Sequence, residues 1–300
     1  MYDRFMMDLT ALRSLEAVDQ YGSVVAAAEA LGFTPSAVSQ QIKRLERQSG
    51  VALLERVGRG VILSGPGRIL VSEGTRIAAD LERLETDLHA HAGDVTGSYT
   101  LVGFSTAMRG LIGPAVAGLM ESHPELRIRL AEHEPWDAVE LVATGQADVA
   151  LVHRWGDVVL EIPDLLDRRV VHHDEAEVIV HADHRLAART RVTPADLADE
   201  RWIATPDGTI CREWLSRMYA GTGRVPQIEH TAMEFASHLE LVSAGLGIAL
   251  IPRLGRGPLP ANTRAVRVKD PVPSRETLAI WRRSLGRSPA VAAIVDALGG

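Results

Sequence analysis

Residues 21–54 have the sequence YGSVVAAAEALGFTPSAVSQQIKRLERQSGVALL, which predicts two short helices joined by a tight turn. Ser23 suits the N-cap of the first helix, because its hydroxyl can accept a hydrogen bond from a free backbone N–H group. Gly32 supplies the turn, since glycine adopts a positive φ without steric cost. Thr34 and Pro35 mark the start of the second helix, with a threonine cap followed by a proline in the first helical position.

The second helix, which we expect to span residues 35–48, has an apolar face and a larger polar face. The apolar side chains have the spacing of a core-facing helix; they are Val38, Ile42 and Leu45. The other faces carry side chains for which we expect no partner within the chain: Ser36, Ser39, Gln40, Lys43, Arg44 and Arg47. Such residues can contact base edges and phosphates. A solvated helix face is the common alternative, but the preceding alanine-rich helix and glycine turn favour a helix that enters a DNA groove.

Residues 55–64 (ERVGRGVILS) predict a two-stranded wing with Gly58, Arg59 and Gly60 at its tip. An arginine on such a tip is well placed for the minor groove or a phosphate. Residues 34–68 contain six basic and two acidic side chains, a net charge of +4, whereas the whole chain has a net charge of −7. A local basic patch on an acidic protein favours sequence-selective DNA binding over the coating of nucleic acid.

The rest of the composition is that of an ordinary globular protein, with 46% hydrophobic and 24% charged residues in a chain of 300, enough for more than one domain. Residues 7–21 predict a first helix, and translation starts at either Met1 or Met7. The N-terminus resembles no signal peptide, and no segment approaches the roughly 18 apolar residues of a membrane span. Cys211 is the single cysteine, which excludes an intrachain disulfide. We therefore expect a cytoplasmic protein.

Residues 66–92 predict one long helix with apolar side chains at heptad spacing. One row holds Leu70, Ile77, Leu84 and His91, and a second row holds Gly74, Leu81 and Leu88. Two such rows are typical of a coiled-coil seam. We therefore expect dimerisation through Leu70, Ile77, Leu81, Leu84 and Leu88, although packing of the helix onto its own domain is the alternative. A dimer would place two recognition helices on a palindromic site.

Beyond a hinge at residues 93–97 (GDVTG), short apolar strands alternate with helical segments. The predicted strands are residues 99–104, 126–131, 149–152, 177–180, 202–204, 227–230, 247–251 and 277–281. The predicted helices are residues 108–122, 136–144, 211–220, 235–244 and 289–298. This alternation predicts parallel sheets and two α/β lobes around a cleft. We expect the first lobe to contain about 97–160 and 270–300, and the second about 161–269.

Three segments resemble the family of LysR-type transcriptional regulators. They are GSVVAAAEALGFTPSAVSQQIKRLE at 22–46, the end of the wing, LSGPG, at 63–67, and VSAGLGIALIP at 242–252. The resemblance covers essentially the whole chain. It implies a winged helix-turn-helix domain at 1–65, a linker and dimerisation helix at 66–92, and an effector-binding domain at 93–300 that resembles periplasmic binding proteins. It also implies a dimer or tetramer on double-stranded DNA, a small-molecule effector, no cofactor and no metal.

Carried over by position, the resemblance implies DNA contacts from Pro35, Ser36, Ser39 and Gln40. Phosphate or groove contacts would come from Lys43, Arg44 and Arg59. Gln40 stands where many members of the family have arginine, which favours contact with adenine or a water-mediated contact over guanine. Leu54 and Ser64 replace a common phenylalanine and a common threonine, which we interpret as tolerated packing changes.

The effector is expected in the cleft, because ligands of open α/β sheets lie beyond the carboxyl ends of strands. The expected lining is Ser105, Thr106, Trp155, Thr205 and Met233. Hydroxyl and N–H groups at the helix that follows Phe104 favour an anionic group, often a carboxylate. Trp155 either contacts an apolar part of the ligand or packs the lobes together. Glu234 either meets a cationic group or complements the N-terminus of its own helix.

Three alternative functions are suggested by individual residues or short segments. GFSTA at 103–107 resembles the nucleophile elbow of an α/β hydrolase with Ser105 as nucleophile, fused to a DNA-binding module, but its fifth residue is alanine rather than glycine. Zinc ligation is suggested by the histidines at 172, 173, 181 and 184, but HADHRLA resembles a family segment without metal. Cys211 has no second cysteine that could resolve a sulfenic acid. We therefore expect a regulator rather than an enzyme, and a structural thiol.

Overall fold

The computed structural model describes residues 8–58, 60–92 and 94–300, and the chain divides into two compact units, Met1–Glu85 and Thr86–Gly300. The elements of the first unit are α1 (Leu9–Tyr21), α2 (Val24–Leu31), α3 (Pro35–Ser49), β1 (Leu54–Val57) and β2 (Gly60–Leu63). The long helix α4 (Gly65–Ala92) begins in this unit. Within the described ranges, none of the helices combines the length and the apolarity that a membrane crossing requires.

Side-chain caps set the starts of the first three helices. Asp8, Ser23 and Thr34 each accept a hydrogen bond from a backbone N–H group of the following turn. Each such cap stabilises its helix by about 1 kcal/mol. The predicted capping roles of Ser23 and Thr34 are confirmed.

The core of the first unit lies between α1, α2 and α3. Val38, Ile42 and Leu45 are buried there, as the spacing in α3 predicts. Ser14 Oγ of α1 donates to Gln41 Oε1 of α3 and fixes the two helices to each other. The opposite face of α3 is thereby held towards solvent.

The start of α4 packs on this core. Leu70 is partly buried against it, and a Cβ atom on Gly74 would lie 2.2 Å from Leu12 Cδ2 of α1. Gly74 therefore lets α4 approach α1 closely. Ser64 is more than a packing residue, since its Oγ accepts from the backbone N–H of Gly67 at 3.0 Å and donates to the carbonyl of Ala52 at 2.7 Å.

The second unit contains strands and helices in alternation. The strands are β3 (Gly97–Gly103), β4 (Leu126–Glu132), β5 (Val149–Trp155), β6 (Leu166–His181), β7 (Arg191–Val192), β8 (Arg201–Ala204), β9 (Gln227–Thr231), β10 (Ile248–Pro252), β11 (Thr263–Val268) and β12 (Ser274–Arg282). The helices are α5 (Ser105–Ala107), α6 (Gly113–Ser122), α7 (Pro135–Ala143), α8 (Ile210–Met218), α9 (Phe235–Ser243) and α10 (Pro289–Gly299). A π-helical turn, Met108–Ile112, joins α5 to α6.

Strand pairing confirms the predicted parallel sheets. In the first lobe β3 pairs in parallel with β4 and β5, and β12 runs antiparallel beside β5. In the second lobe β8 pairs in parallel with β9 and β10. Helices cover the faces of these sheets through separate apolar clusters.

Strand β6 connects the lobes and is much longer than the predicted segment 177–180. Its residues 166–175 pair with β12 of the first lobe, and its remaining residues pair with β10 and β11 of the second. The first half was missed because its sequence, LDRRVVHHDE, lacks a continuous apolar run. We therefore place the passage between the lobes within β6 rather than near residue 161. The short strand β7 and the strand β11 were also not predicted.

Candidate functional site

The polar face of α3 is open to solvent at most of the predicted DNA contacts. Pro35, Ser36, Gln40 and Lys43 are exposed, and Ser39 is half-buried. Residues three and four apart on a helix are neighbours on its surface. The serine, glutamine and lysine side chains therefore form one continuous polar stripe along α3.

Arg44 departs from the expectation that this face has no partner within the chain. Its Nη2 lies 3.3 Å from Asp8 Oδ2, and both side chains are partly exposed. The pair was missed because Asp8 precedes α1 and lies far from Arg44 in sequence. Such an exposed ion pair contributes at most about 1 kcal/mol, so Arg44 can exchange Asp8 for a phosphate. Arg59, the expected wing contact, lies outside the described residues.

The second half of α4 exposes the predicted seam. Ile77 is 48% exposed, Leu81 42%, Leu84 57% and Leu88 63%. Leu70, by contrast, already packs on the core of its own chain. The heptad pattern therefore serves two purposes, with intrachain packing at its start and a free apolar stripe further along.

A buried ion pair lies at the base of the cleft in the second unit. The Arg275 side chain is fully buried, and its Nε and Nη2 donate to Asp174 Oδ2 at 3.0 and 2.8 Å. Arg275 Nη2 also donates to Thr106 Oγ1 at 2.8 Å. The Asp174 carboxylate in turn accepts from the backbone N–H of Leu254 at 3.2 Å. Arg275 and Asp174 thus join α5 of the first lobe to the chain that follows β10 in the second.

One donor of Arg275 is left over. Its Nη1 is buried and has no hydrogen-bond partner among the described residues. The guanidinium carbon lies 5.1 Å from the ring centroid of Phe104 and 5.4 Å from that of Trp155, which is the geometry of cation–π contacts. Burial lowers the pKa of Arg275, an effect that the charge of Asp174 opposes. Arginine stays protonated in proteins, so Arg275 is a buried cation that is paired with Asp174 and has N–H groups on Nη1 without an acceptor among the described residues.

Trp155 does not follow a strand end, as the sequence suggested, but is the last residue of β5. It is buried, and its ring centroid lies 5.2 Å from that of Trp214 in the second lobe. Of the two roles considered, the structure shows the packing of the lobes. His153, two residues earlier, is also buried, and its ring centroid lies 4.4 Å from that of Phe104. Burial lowers the pKa of His153 well below 6.5.

One cavity is lined by Trp155 and a second, larger one by the ion pair. A cavity of about 20 Å³, enough for one water, is lined in part by Trp155, Thr205, Cys211 and His238. A cavity of about 940 Å³ opens beside the antiparallel strands β6 and β12, and Arg275 and Asp174 line it. Of the predicted effector contacts, the structure brings Trp155 and Thr205 together and places Thr106 on Arg275. Ser105 and Met233 line neither cavity, and the Met233 side chain is 51% exposed.

Arg109 links the lobes at the surface of the cleft. Its Nη1 lies 3.3 Å from Glu234 Oε2, and its Nε donates to the carbonyl of Gly255 at 3.0 Å. Glu234 occupies the N-cap position of α9 without a side-chain cap bond; its cationic neighbour is Arg109, and a contact with a cationic group of a ligand stays a prediction. Neither Arg109 nor Arg275 belongs to a recognisable motif, and sequence reasoning missed both.

The alternative functions find little support in the geometry. Ser105 begins α5, and no hydrogen bond from its hydroxyl to a histidine is found in the described part of the chain. Burial raises the pKa of the Cys211 thiol to about 11, so the thiolate is scarce at neutral pH. His184 pairs with Glu200 at 3.0 Å. Across residues 8–58, 60–92 and 94–300, no group of three or more His, Cys, Asp or Glu is placed to hold a metal ion.

Comparison with known families assigns both parts of the chain. A model of the LysR substrate binding domain matches residues 92–300. A model of the bacterial regulatory helix-turn-helix protein of the lysR family matches residues 9–68.

Individual relatives are similar in sequence to this chain along most of their length. The chain is 30% identical over 282 residues to the HTH-type transcriptional regulator ShiR of Corynebacterium glutamicum (strain R), covering 91% of this chain and 92% of that protein. It is 29% identical over 297 residues to the regulator CbbR of Xanthobacter flavus, covering 97% of this chain and 86% of that protein.

Solved structures share the fold. Full-length OxyR C199D from Pseudomonas aeruginosa superposes with a TM-score of 0.71 at 18% identity, covering 98% of this chain and 95% of that one. Full-length CbnR in complex with its target DNA superposes with a TM-score of 0.56 at 20% identity, covering 97% and 99%.

Proposed function

Because the chain belongs to the LysR family of bacterial transcriptional regulators, we propose that α3 recognises an operator while an anionic effector in the cleft controls the outcome. The chain is a regulator with a DNA-binding N-terminal domain and an effector-binding C-terminal domain, and it is not an enzyme. The observation that carries the effector assignment is the buried Arg275 with its unpartnered Nη1. We place the protein in the cytoplasm, together with bacterial DNA.

For the DNA, we assign base contacts to Ser36, Ser39 and Gln40, with Pro35 against the groove. These side chains lie on the open face of α3. Lys43, Arg44 and the wing residue Arg59 supply phosphate or groove contacts. A glutamine side chain can bond to both N6 and N7 of adenine, so Gln40 favours adenine at one position of each half-site.

For the assembly, we propose that α4 pairs with α4 of a second copy through Ile77, Leu81, Leu84 and Leu88. An exposed apolar stripe at heptad spacing requires a partner helix. Pairing would present two copies of α3 to the two halves of a palindromic operator. We propose that such dimers can associate further into a tetramer on the DNA.

For the effector, we propose a small molecule with a carboxylate that bonds to Arg275 Nη1. A charged acceptor satisfies the free donor and faces a guanidinium held rigid by Asp174 and Thr106. The rings of Phe104 and Trp155 contact the guanidinium and help to fix its orientation. Arg275 bonds directly to Thr106 of the first lobe and, through Asp174, to Leu254 of the second. A bound anion therefore changes the balance between open and closed arrangements of the lobes, and the effector acts through its different affinity for the two.

A thermal-shift comparison of matched ligands tests this assignment. Sodium benzoate and benzamide differ in the carboxylate alone, as do 4-methylvalerate and its amide. We expect the carboxylates to raise the melting temperature more than their amides at equal ionic strength. Arg275→Lys keeps a cation beside Asp174 but loses the planar fork, and it should abolish the difference. Equal shifts from acids and amides in the natural protein would refute an anionic effector at Arg275.

A further inference from the structure

The exposed edge of the second-lobe sheet carries an unusual concentration of arginines. A cavity of about 520 Å³ is lined there by Glu177, Arg189, Thr190, Arg191, Ala265 and Arg267. It shares none of these residues with the cavities lined by Trp155 and by Arg275. This cavity is therefore separate from the proposed effector site.

The strand register sets two of these arginines side by side. Glu177 of β6 is paired with Arg267 of β11, and Arg267 is paired in turn with Arg191 of the parallel strand β7. Like charges directly opposite each other on neighbouring strands destabilise a sheet. A juxtaposition that weakens the fold and lies on a concave surface is a candidate for a binding role.

The nearby carboxylates are already engaged. Glu177 Oε1 accepts from Arg253 Nη2 at 2.8 Å, and Oε2 accepts from Arg256 Nη1 at 2.9 Å. Arg267 Nε lies only at 4.0 Å from Glu177 Oε1. Hydrogen bonds from Arg253 and Arg256 outweigh the burial of Glu177 and lower its pKa, so its single negative charge is fully present at neutral pH.

The remaining arginines of the cavity are poorly neutralised. The Asp196 carboxylate accepts hydrogen bonds from the backbone N–H and the hydroxyl of Thr193, which are the main cause of its lowered pKa. The charge of Arg189 lowers this pKa further without a hydrogen bond. Arg191 is exposed, and no ion pair of its side chain occurs in the described ranges. The cavity therefore keeps an excess of positive charge on a chain whose net charge is −7.

We propose that this cavity binds the phosphate group of a small phosphorylated metabolite. Guanidinium groups bind phosphate through two parallel hydrogen bonds, and three arginines, Arg189, Arg191 and Arg267, line this cavity together with Thr190. The volume falls in the range of small-molecule sites, and its concave form suits a compact ligand better than the rod of a DNA duplex. A bound dianion replaces the repulsion between Arg191 and Arg267 by two attractions, so occupancy stabilises the second lobe.

Isothermal titration with pyrophosphate, at constant ionic strength in the full-length protein, tests the proposal. We expect saturable binding of one pyrophosphate per chain and an affinity at least about tenfold weaker in Arg191→Gln and in Arg267→Gln, since each loses a charged hydrogen bond. Arg191→Lys keeps the charge but not the fork and should bind with intermediate affinity. Arg168→Gln removes an exposed arginine of β6 that lies outside the cavity and serves as the matched control.

Three results would overturn the proposal. One is unchanged pyrophosphate affinity in both Arg191→Gln and Arg267→Gln, and another is an equal loss in Arg168→Gln. The third is displacement of pyrophosphate by a short DNA duplex of unrelated sequence, which would assign the cavity to a nucleic-acid backbone. Thermal unfolding without ligand checks that the variants fold, and removal of the like-charged pair should leave Arg191→Gln at least as stable as the natural protein.

Discussion

Single side chains form the two proposed recognition surfaces, and the side chains of the two surfaces differ in burial and in their partners. On α3 the polar groups are exposed and free to exchange partners, as the weak pair between Arg44 and Asp8 shows. Arg275 is buried and bonded to Asp174 and Thr106, and its Nη1 has no hydrogen-bond partner among the described residues. Removing one partner of such a buried pair costs about 3–5 kcal/mol. A buried pair of this kind is therefore suited to detecting an anion without rearranging itself.

At this scale the sequence predicted the exposed residues better than the buried ones. The spacing of Val38, Ile42 and Leu45 alone indicates which side of α3 faces out. Arg275 gives no such signal, because its partners Asp174 and Thr106 lie 101 and 169 residues away in the chain. Only the pairing of β12 with β6 brings Arg275 and Asp174 together.

His153 predicts a loss of stability in mild acid. Its folded pKa lies well below 6.5 because of burial and the charge of Arg275. Below pH 6.5 the unfolded chain therefore binds a proton that folded His153 does not, and the free energy of unfolding falls by up to about 1.4 kcal/mol per pH unit. Above pH 6.5 this dependence vanishes.

Urea unfolding at pH 7.5, 6.5 and 5.5, followed by tryptophan fluorescence, measures this slope. His153→Gln should reduce it between pH 6.5 and 5.5, and His173→Gln, at an exposed histidine, is the control substitution. The explanation fails if His153→Gln and the natural protein lose stability in parallel over that interval.

Gln40 and Lys43 are expected to differ in what they contribute to DNA binding. Gln40→Arg should move the preference at one base pair of each half-site towards guanine, by about 1–3 kcal/mol. Lys43→Gln should weaken binding to all sequences alike and reduce the salt slope by about 1 per site. Selection of bound sites from a random library, together with salt titrations, separates the two effects. A new base preference in Lys43→Gln, or none in Gln40→Arg, would contradict these roles.

Among the elements, α4 runs from the first unit into the second, and β6 connects the two lobes of the second unit. Heptad spacing predicted α4 along nearly its full length, but not that its first turns pack on α1 through Leu70 and Gly74. β6 was half missed, because a strand shared by two lobes is polar where it passes along the cleft. Periodicity detects elements with one uniformly apolar face, and elements that change neighbours along their length escape it.

A charge in the exposed stripe of α4 should prevent pairing. Leu84→Glu places a carboxylate in the proposed seam, where a second copy would place its own opposite, so we expect the dimer to dissociate in sedimentation velocity runs at micromolar concentration. Glu85→Gln, an exposed neighbour outside the seam, is the control. Leu84→Glu should also bind its operator much more weakly, because a monomer contacts only one half-site. A Leu84→Glu dimer as stable as that of Glu85→Gln would remove α4 from the interface.

For the whole molecule, we propose that an anion bound at Arg275 alters how paired copies of α3 lie on DNA. The two are related only through the chain and its assembly, so the effector must favour one arrangement of the lobes over another. Couplings of this kind usually amount to a 5- to 150-fold change in affinity. The family and the two domains followed from the sequence; the anion site and the arginine-rich cavity required the structure, since each is assembled from strands distant in the chain.

The most direct test is a footprint titration of the full-length protein on its selected operator, with and without the carboxylate that gives the largest thermal shift. We predict that the carboxylate changes the protected length or shifts the half-saturation point at least about fivefold, and that its neutral amide does neither. An identical protected length and affinity with the carboxylate, the amide and no ligand would contradict the central claim.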